Sequence, residues 1–272
     1  MPETILVKLG GSVITNKNNP DYNVQAAIVS DSLLTLKQYL HENPGTKLIL
    51  IHGAGGHIHH LAKLYELTTS CAGNQEKLTH AYEVQQTTKR LSDDIVALAN
   101  NIDFPVTQIP TCEVVTNDSG MFKKIAVDRI KNASVSASVP LLYGDMVPDT
   151  SYGLSICSGD TLVTQIAPII GATRVMYVSD IDGLYTKDPH QHPDAELLEK
   201  IKVSELSDDH ITITGSHSID VTGGLKNKLE PVAQLFATTP SLKSIEICNG
   251  LKLNVLSAVL ENQAVPHTTI VK

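Results

Sequence analysis

Tryptophan is absent from this 272-residue chain, and aromatic residues make up only 4% of it. Its core must therefore be built mostly from Leu, Ile, Val and Ala, which suits a parallel sheet buried on both faces. Basic residues are in the minority, 21 Lys and Arg against 29 Asp and Glu, for a net charge of −8. That balance speaks against general nucleic-acid binding, which needs a basic surface. The four cysteines, Cys71, Cys112, Cys157 and Cys248, stand far apart without a CxxC or CxxH pair. Neither a zinc site nor a disulfide framework is suggested. No secretory hydrophobic region or apolar run of 18 residues occurs, so no membrane anchor is expected and a reducing cytoplasm is the expected setting.

Two common nucleotide signatures are also missing. There is no G-x-x-x-x-G-K-[ST], and the stretch from Gly53 begins like G-x-G-x-x-G but ends in Ile58. A P-loop and a Rossmann fingerprint both fail, so a nucleotide would need another architecture.

Short apolar runs alternate with longer amphipathic segments. Strands are expected at Ile5–Leu9, Lys47–Ile51, Val139–Tyr143, Arg174–Val178 and Ser244–Cys248. Helices are expected near 24–41, 57–69, 79–101, 160–171, 224–238 and 251–261. The alternation predicts an α/β fold with a mostly parallel central sheet sandwiched by helices. Residues 111–126 and 145–157 carry Val–Thr, Pro, Asn and Gly in short bursts, predicting a small hairpin-rich insertion. Two lobes of one continuous fold are expected, 1–172 and 173–272.

Glycine-bearing turns follow strand after strand: Gly10-Gly11-Ser12, Gly53-Ala54-Gly55-Gly56, Gly144-Asp145, Ser158-Gly159-Asp160, Asp180-Ile181-Asp182-Gly183 and Thr222-Gly223-Gly224. Any one is an ordinary strand-to-helix connection. Together they predict an anion site beyond the carboxyl ends of the strands, where backbone N–H groups and helix N-termini meet phosphate. Lys8 ends the first strand, where a core lysine without a partner is rare. Lys17 lies in a polar loop, and Lys228 by itself reads as a solvated helical lysine. The histidines at 57, 59 and 60 do not share a helix face and have no carboxylate among them, so the expected metal-ligand set is none. Asp160, after Ser-Gly, reads as a helix N-cap.

These motifs, in this order, resemble the amino acid kinase superfamily and within it the isopentenyl phosphate kinases. Lys8 to Lys17 is similar to that family's opening, and His52 to His60 resembles its H-G-G-G-[SA]-F-G-H loop, which puts the motif histidine on His59. Gly144 to Val147 and Ser158 to Asp160 match its central motifs. Asp180 to Tyr185 resembles D-V-D-G-[VL]-[YL], and Asp220 to Lys228 resembles D-V-T-G-G-M-x-x-K. Ala54, Gly56, His57 and Leu225 depart from the pattern, the first three in the acceptor loop.

The resemblance implies transfer of the γ-phosphoryl group of ATP, with Mg²⁺, to an acceptor that already carries phosphate, isopentenyl phosphate. It implies Lys8, Lys17, His59, Asp160 and Lys228 as catalytic residues, Asp160 orienting Lys8 and Lys228. It implies an ATP site with Lys8, Gly10, Gly11, Ser12, Asp180, Asp182, Gly183, Tyr185, Gly223 and Lys228. An acceptor site is expected from Ala54, Gly55, Gly56, His59 and Gly159, with Val84, Met146, Ile156 and Cys157 as its apolar wall. A homodimer is implied too. A phosphonate such as fosfomycin or a carboxylate as acceptor, and a non-catalytic anion sensor on the same fold, are the alternatives.

Overall fold

The five aliphatic runs expected as strands form the centre of one sheet in the computed structural model, which describes residues 3–16, 19, 21–135, 138–187, 189, 191–207 and 226–272. The strands are β1 (Thr4–Leu9), β2 (Lys47–His52), β3 (Val106–Gln108), β4 (Val115–Asp118), β5 (Met121–Ile125), β6 (Val139–Tyr143), β7 (Asp145–Asp149), β8 (Gly153–Cys157), β9 (Arg174–Ser179), β10 (Lys200–Lys202), β11 (Ser244–Asn249) and β12 (Thr268–Val271). The helices are α1 (Gly11–Ile14), α2 (Ala26–Glu42), α3 (Gly55–Leu64), α4 (Gln75–Asn101), α5 (Thr111–Val114), α6 (Asp128–Val135), α7 (Gly159–Ile170), α8 (Lys226–Thr238) and α9 (Val255–Leu260).

The main sheet has eight strands in the order β10-β12-β11-β9-β1-β2-β6-β3. The six strands from β11 to β3 are parallel, and β12 turns antiparallel against β11. Alternation along the central strands sends side chains to opposite faces. Ile5, Val7 and Leu9 of β1 with Leu48 and Leu50 of β2 enter one core, under α2, α3, α4 and α9. Leu6, Ile49 and Ile51 enter the other, under α6, α7 and α8. Burial on both faces is why these strands read as unbroken aliphatic runs. The short strands β3, β10 and β12 escaped sequence reasoning because they are three or four residues long.

The expected hairpin insertion is a second sheet, β5-β4-β7-β8. Its two antiparallel hairpins meet through the pairing of Asn117 with Asp149. Asp149 ties them together. Its carboxylate accepts the backbone N–H groups of Ser119 (3.0 Å), Gly120 (2.7 Å), Ser151 (2.9 Å) and Tyr152 (2.8 Å), and the Ser155 hydroxyl (2.8 Å). Burial works to raise its pKa, but these donors outweigh it and hold the group at about 2. The insertion is anchored to α4, where the Gln85 side chain donates to the Met146 carbonyl at 2.7 Å.

Candidate active site

Connections from β1 run toward β2, whereas those from β9 run toward β11, so the strand order reverses at β1 and β9. In open α/β sheets, ligands bind outside the carboxyl ends of the strands at such a point. Lys8 is in register with Ile51 of β2 and Tyr177 of β9, near the centre of the sheet. Its ammonium donates to Asp160 Oδ1 at 2.6 Å and lies 5.7 Å from the centroid of the Tyr177 ring. The two residues are 152 apart in sequence; the fold brings the first strand onto the N-terminus of α7. That helix is capped by Ser158, whose hydroxyl accepts the Thr161 N–H at 3.0 Å. Asp160 is thus one residue inside the helix, not its cap, and its carboxylate faces Lys8.

The turns after β1 and β2 touch backbone to backbone. A Cβ on Gly53 would come 2.7 Å from the Gly11 nitrogen, and one on Gly11 would come 2.9 Å from the Gly55 nitrogen. Gly55 also takes a φ of +80°, a conformation side chains rarely adopt. The Thr15 hydroxyl accepts the Gly56 N–H at 3.0 Å and donates to the Gly11 carbonyl at 2.9 Å, locking the two turns together. The N-termini of α1, α3 and α7 are thereby gathered at one end of the sheet.

Beside them lies a cavity of about 110 Å³. Lys8, Gly11, Gly53, Ala54, His59, Gly144, Ser158, Gly159 and Asp160 form its polar side. Ile58, Ala62, Val84, Thr88, Met146, Ile156 and Cys157 line the remainder, with Asp145 on the wall. His59 is exposed on α3. His52, by contrast, is wholly buried. Its Nδ1–H donates to the Gly53 carbonyl at 2.8 Å, and its ring stacks on Tyr143 at 5.1 Å. Burial lowers its pKa to about 4, against the pull of that hydrogen bond, so it stays neutral and supports the loop.

Of the acceptor residues expected from sequence, Ala54, His59, Gly159, Val84, Met146, Ile156 and Cys157 all border the cavity with Lys8 and Asp160. Gly55 and Gly56 stand behind it as supports. Gly10 donates its N–H to the Val178 carbonyl at 2.8 Å, and Ser12 is buried with its hydroxyl unpartnered; neither borders the cavity. Asp180, Asp182, Gly183 and Tyr185 lie beyond β9. There Asp182 accepts from Asn249 (3.0 Å), Lys252 (2.9 Å) and the Tyr185 hydroxyl (3.3 Å). Burial opposes ionisation of Asp182, but Lys252 and Asn249 outweigh it and hold the carboxyl below the usual range. Gly183 packs so closely on β12 that a Cβ would fall 2.8 Å from the Thr268 nitrogen. Lys17 and Gly223 lie outside the described residues, as does the side chain of Lys228 on α8. Among the described residues no three His, Cys, Asp or Glu side chains gather as a metal site.

Sequence reasoning missed Ile58, Ala62 and Thr88, and named Asp145 only within its glycine turn. Thr88 could have been found, since it stands one helical turn from Val84 on α4 and its hydroxyl donates to the Val84 carbonyl at 2.8 Å. Ile58 and Ala62 repeat the same i,i+4 spacing on α3.

Known proteins resemble this chain in sequence and fold. An isopentenyl phosphate kinase of Methanocaldococcus jannaschii is 33% identical over 236 residues, 84% of this chain and 85% of the relative. One of Methanothermobacter thermautotrophicus is 28% identical over 236 residues, 85% and 86% of the two chains. A crystal structure of an isopentenyl phosphate kinase superposes with a TM-score of 0.78 at 23% identity, covering 98% of this chain and 100% of the other, and so shares its fold. Residues 3–237 match the amino acid kinase family, and with strands, glycine turns and the Lys8–Asp160 pair in place the chain belongs to that family.

Proposed function

We propose that this protein transfers the γ-phosphoryl group of ATP to isopentenyl phosphate, forming isopentenyl diphosphate. The observation that carries this reading is the two-sided cavity: a mouth rich in N–H donors at Lys8, His59 and the N-terminus of α7, with a mostly aliphatic interior bordered by α4. It suits a short branched hydrocarbon ending in phosphate.

The acceptor's own phosphate is the nucleophile. Its second pKa is ~6, so it is largely dianionic at neutral pH and needs no general base. What limits the reaction is the repulsion between two anions brought into line, and catalysis is positioning plus charge neutralisation. Lys8 stands on β1 between the acceptor cavity and the loops of β9 and β11, which is where a phosphoryl group in transit would lie. Asp160 aims it. Lys228 and Lys17 complete the cationic set in this reading, and His59 holds the acceptor phosphate. Residues 1–172 then carry the acceptor, and 173–272 carry the nucleotide, with Gly10, Gly11, Ser12 and Gly223 near the phosphates and Asp180 to Tyr185 near the nucleoside. Mg²⁺ bound to the ATP phosphates would supply additional charge neutralisation. The working unit in this reading is a homodimer in the cytoplasm.

The test is an ATP-consumption assay with product identification by ³¹P NMR. The panel is isopentenyl phosphate, longer prenyl phosphates, fosfomycin and glutamate. The expected result is a diphosphate product and highest kcat/KM for isopentenyl phosphate. Preference for fosfomycin or a carboxylate over every alkyl phosphate overturns the acceptor assignment, and no turnover with any acceptor favours an anion sensor.

A further inference from the structure

Asp145 begins β7 on the wall of the cavity and is only 5% exposed. Its Oδ1 accepts the N–H of Met146 at 2.9 Å, whereas its Oδ2 is buried without a hydrogen-bond partner. Among the described residues no cation pairs with it. Lys8, across the cavity, is already committed to Asp160 at 2.6 Å. The other titratable groups around it are Cys112 on α5, Tyr143 on β6 and Cys157 on β8, with Asp93 of α4 and Glu113 of α5 beside Tyr143, and His59 and Asp160 across the cavity. Burial pushes both thiols up to about 12 and raises the phenol, so these neighbours stay neutral, and Asp93 and Glu113 are acidic. A carboxylate in this place opposes an incoming phosphate dianion, because like charges in a low-dielectric site repel strongly.

Resting on the acceptor reading above, we infer that Asp145 couples acceptor binding to protonation: a phosphate-bearing acceptor enters the cavity with Asp145 in its neutral acid form, and binding takes up a proton there. The proton comes from solvent and stays on the carboxyl while the site is occupied, so it takes no part in the phosphoryl transfer. Burial, only partly offset by hydrogen bonds from Met146 and Cys112, already raises the group to about 7 before any ligand arrives. An adjacent dianion raises it further. The sign follows: affinity is fully present below pH 7 and falls as pH rises above it, until the pKa of the occupied site is passed.

The measurement is isothermal titration calorimetry of the full chain with isopentenyl phosphate at pH 8, without ATP, in two buffers of different ionisation heat. At that pH the ligand is almost wholly dianionic, so proton uptake reports the protein. Wild type is expected to take up about 0.9 proton per ligand bound. Asp145→Asn keeps the shape and removes the titration, and is expected to lose that uptake. Above pH 7 the ratio of wild-type to Asp145→Asn Kd should climb by up to about tenfold per pH unit. His59 could also take up a proton beside phosphate, so His59→Gln is the companion variant and should retain the uptake. The same uptake in Asp145→Asn as in wild type assigns the proton elsewhere and overturns the inference. So does a folded Asp145→Asn that no longer binds while Asp145→Glu does, since the ionised group would then be the required one. Should Asp145→Asn not fold, wild type and His59→Gln still decide, because absence of uptake in both rejects the coupling. If wild type binds neither isopentenyl phosphate nor any other alkyl phosphate, the acceptor reading itself fails and takes this inference with it.

Discussion

Asp145 and Asp149 begin and end the same five-residue strand, and each is 5% exposed, yet burial raises one to about 7 while the other is held at about 2. Asp145 is set deeper, so burial weighs more on it, and the donors differ as well. Asp149 collects four backbone N–H groups and a hydroxyl from both hairpins. Asp145 has the Met146 N–H and weaker help from Cys112, and its Oδ2 is left without a partner. The depth at which a carboxyl is set and the hydrogen bonds it collects there together decide its charge. At the hairpin end of β7 polar groups are satisfied and hold structure. At the cavity end one is left unsatisfied, as expected where a ligand completes the site.

If the cavity end serves chemistry and the hairpin end serves stability, substitutions should separate the two. The largest effect is expected at His59. His59→Ala should lower kcat by ~10²–10³, the usual worth of a donor aimed at developing charge, and leave the melting temperature unchanged. A rate within a few-fold of wild type removes His59 from the site. Lys8→Met and Lys228→Met should each depress kcat more than they raise the KM for ATP, with Asp160→Asn following them at a smaller loss, since it acts through Lys8. Steady-state kinetics check this, and a pure KM effect would make these lysines ground-state clamps.

Asp149→Ala should do the reverse, destabilising the fold while sparing kcat at temperatures where the protein stays folded. A folded pKa of about 2, against ~3.9 when unfolded, corresponds to on the order of 1–2 kcal/mol once solvent screening is allowed for. Because the folded pKa is depressed, that contribution is present above pH 4 and disappears as pH falls toward 2. Urea titrations from pH 7 to pH 3 should show the loss in wild type and a flatter profile in the variant. Asp145 has the opposite sign. Its folded pKa is raised, so its contribution is present below pH 4 and is lost as pH rises from 4 to 7. Asp145→Asn should flatten that limb alone, and identical profiles for both variants would dissolve the contrast between them.

The smallest effect concerns the cavity interior. Val84→Ala or Met146→Ala should raise the ratio of kcat/KM for ten-carbon over five-carbon phosphates, on the scale of ~1–3 kcal/mol per methylene accommodated. An unmoved ratio for both would show that neither residue limits acceptor length.

Aliphatic runs punctuated by glycine were enough, by themselves, to reveal the central strands, the flanking helices and the loops where a phosphate could bind. These are local signals: a five-residue strand buried on both faces has few alternatives to Leu, Ile and Val, and backbone contact between Gly11 and Gly53 leaves no room for a Cβ. The order of the motifs also pointed to Lys8, His59 and Asp160, which border the cavity. What the sequence could not show was set by contacts between distant segments. Asp160 faces Lys8 because α7 packs against β1, and Ser158 takes the capping role because it stands one turn before Thr161. Short strands such as β12 exist only because a longer neighbour offers them an edge. Asp145 and Asp149 are the same residue type on one strand, and nothing in D-M-V-P-D distinguishes them. Their difference was decided by tertiary structure, which brought five donors to one carboxylate and a cavity to the other.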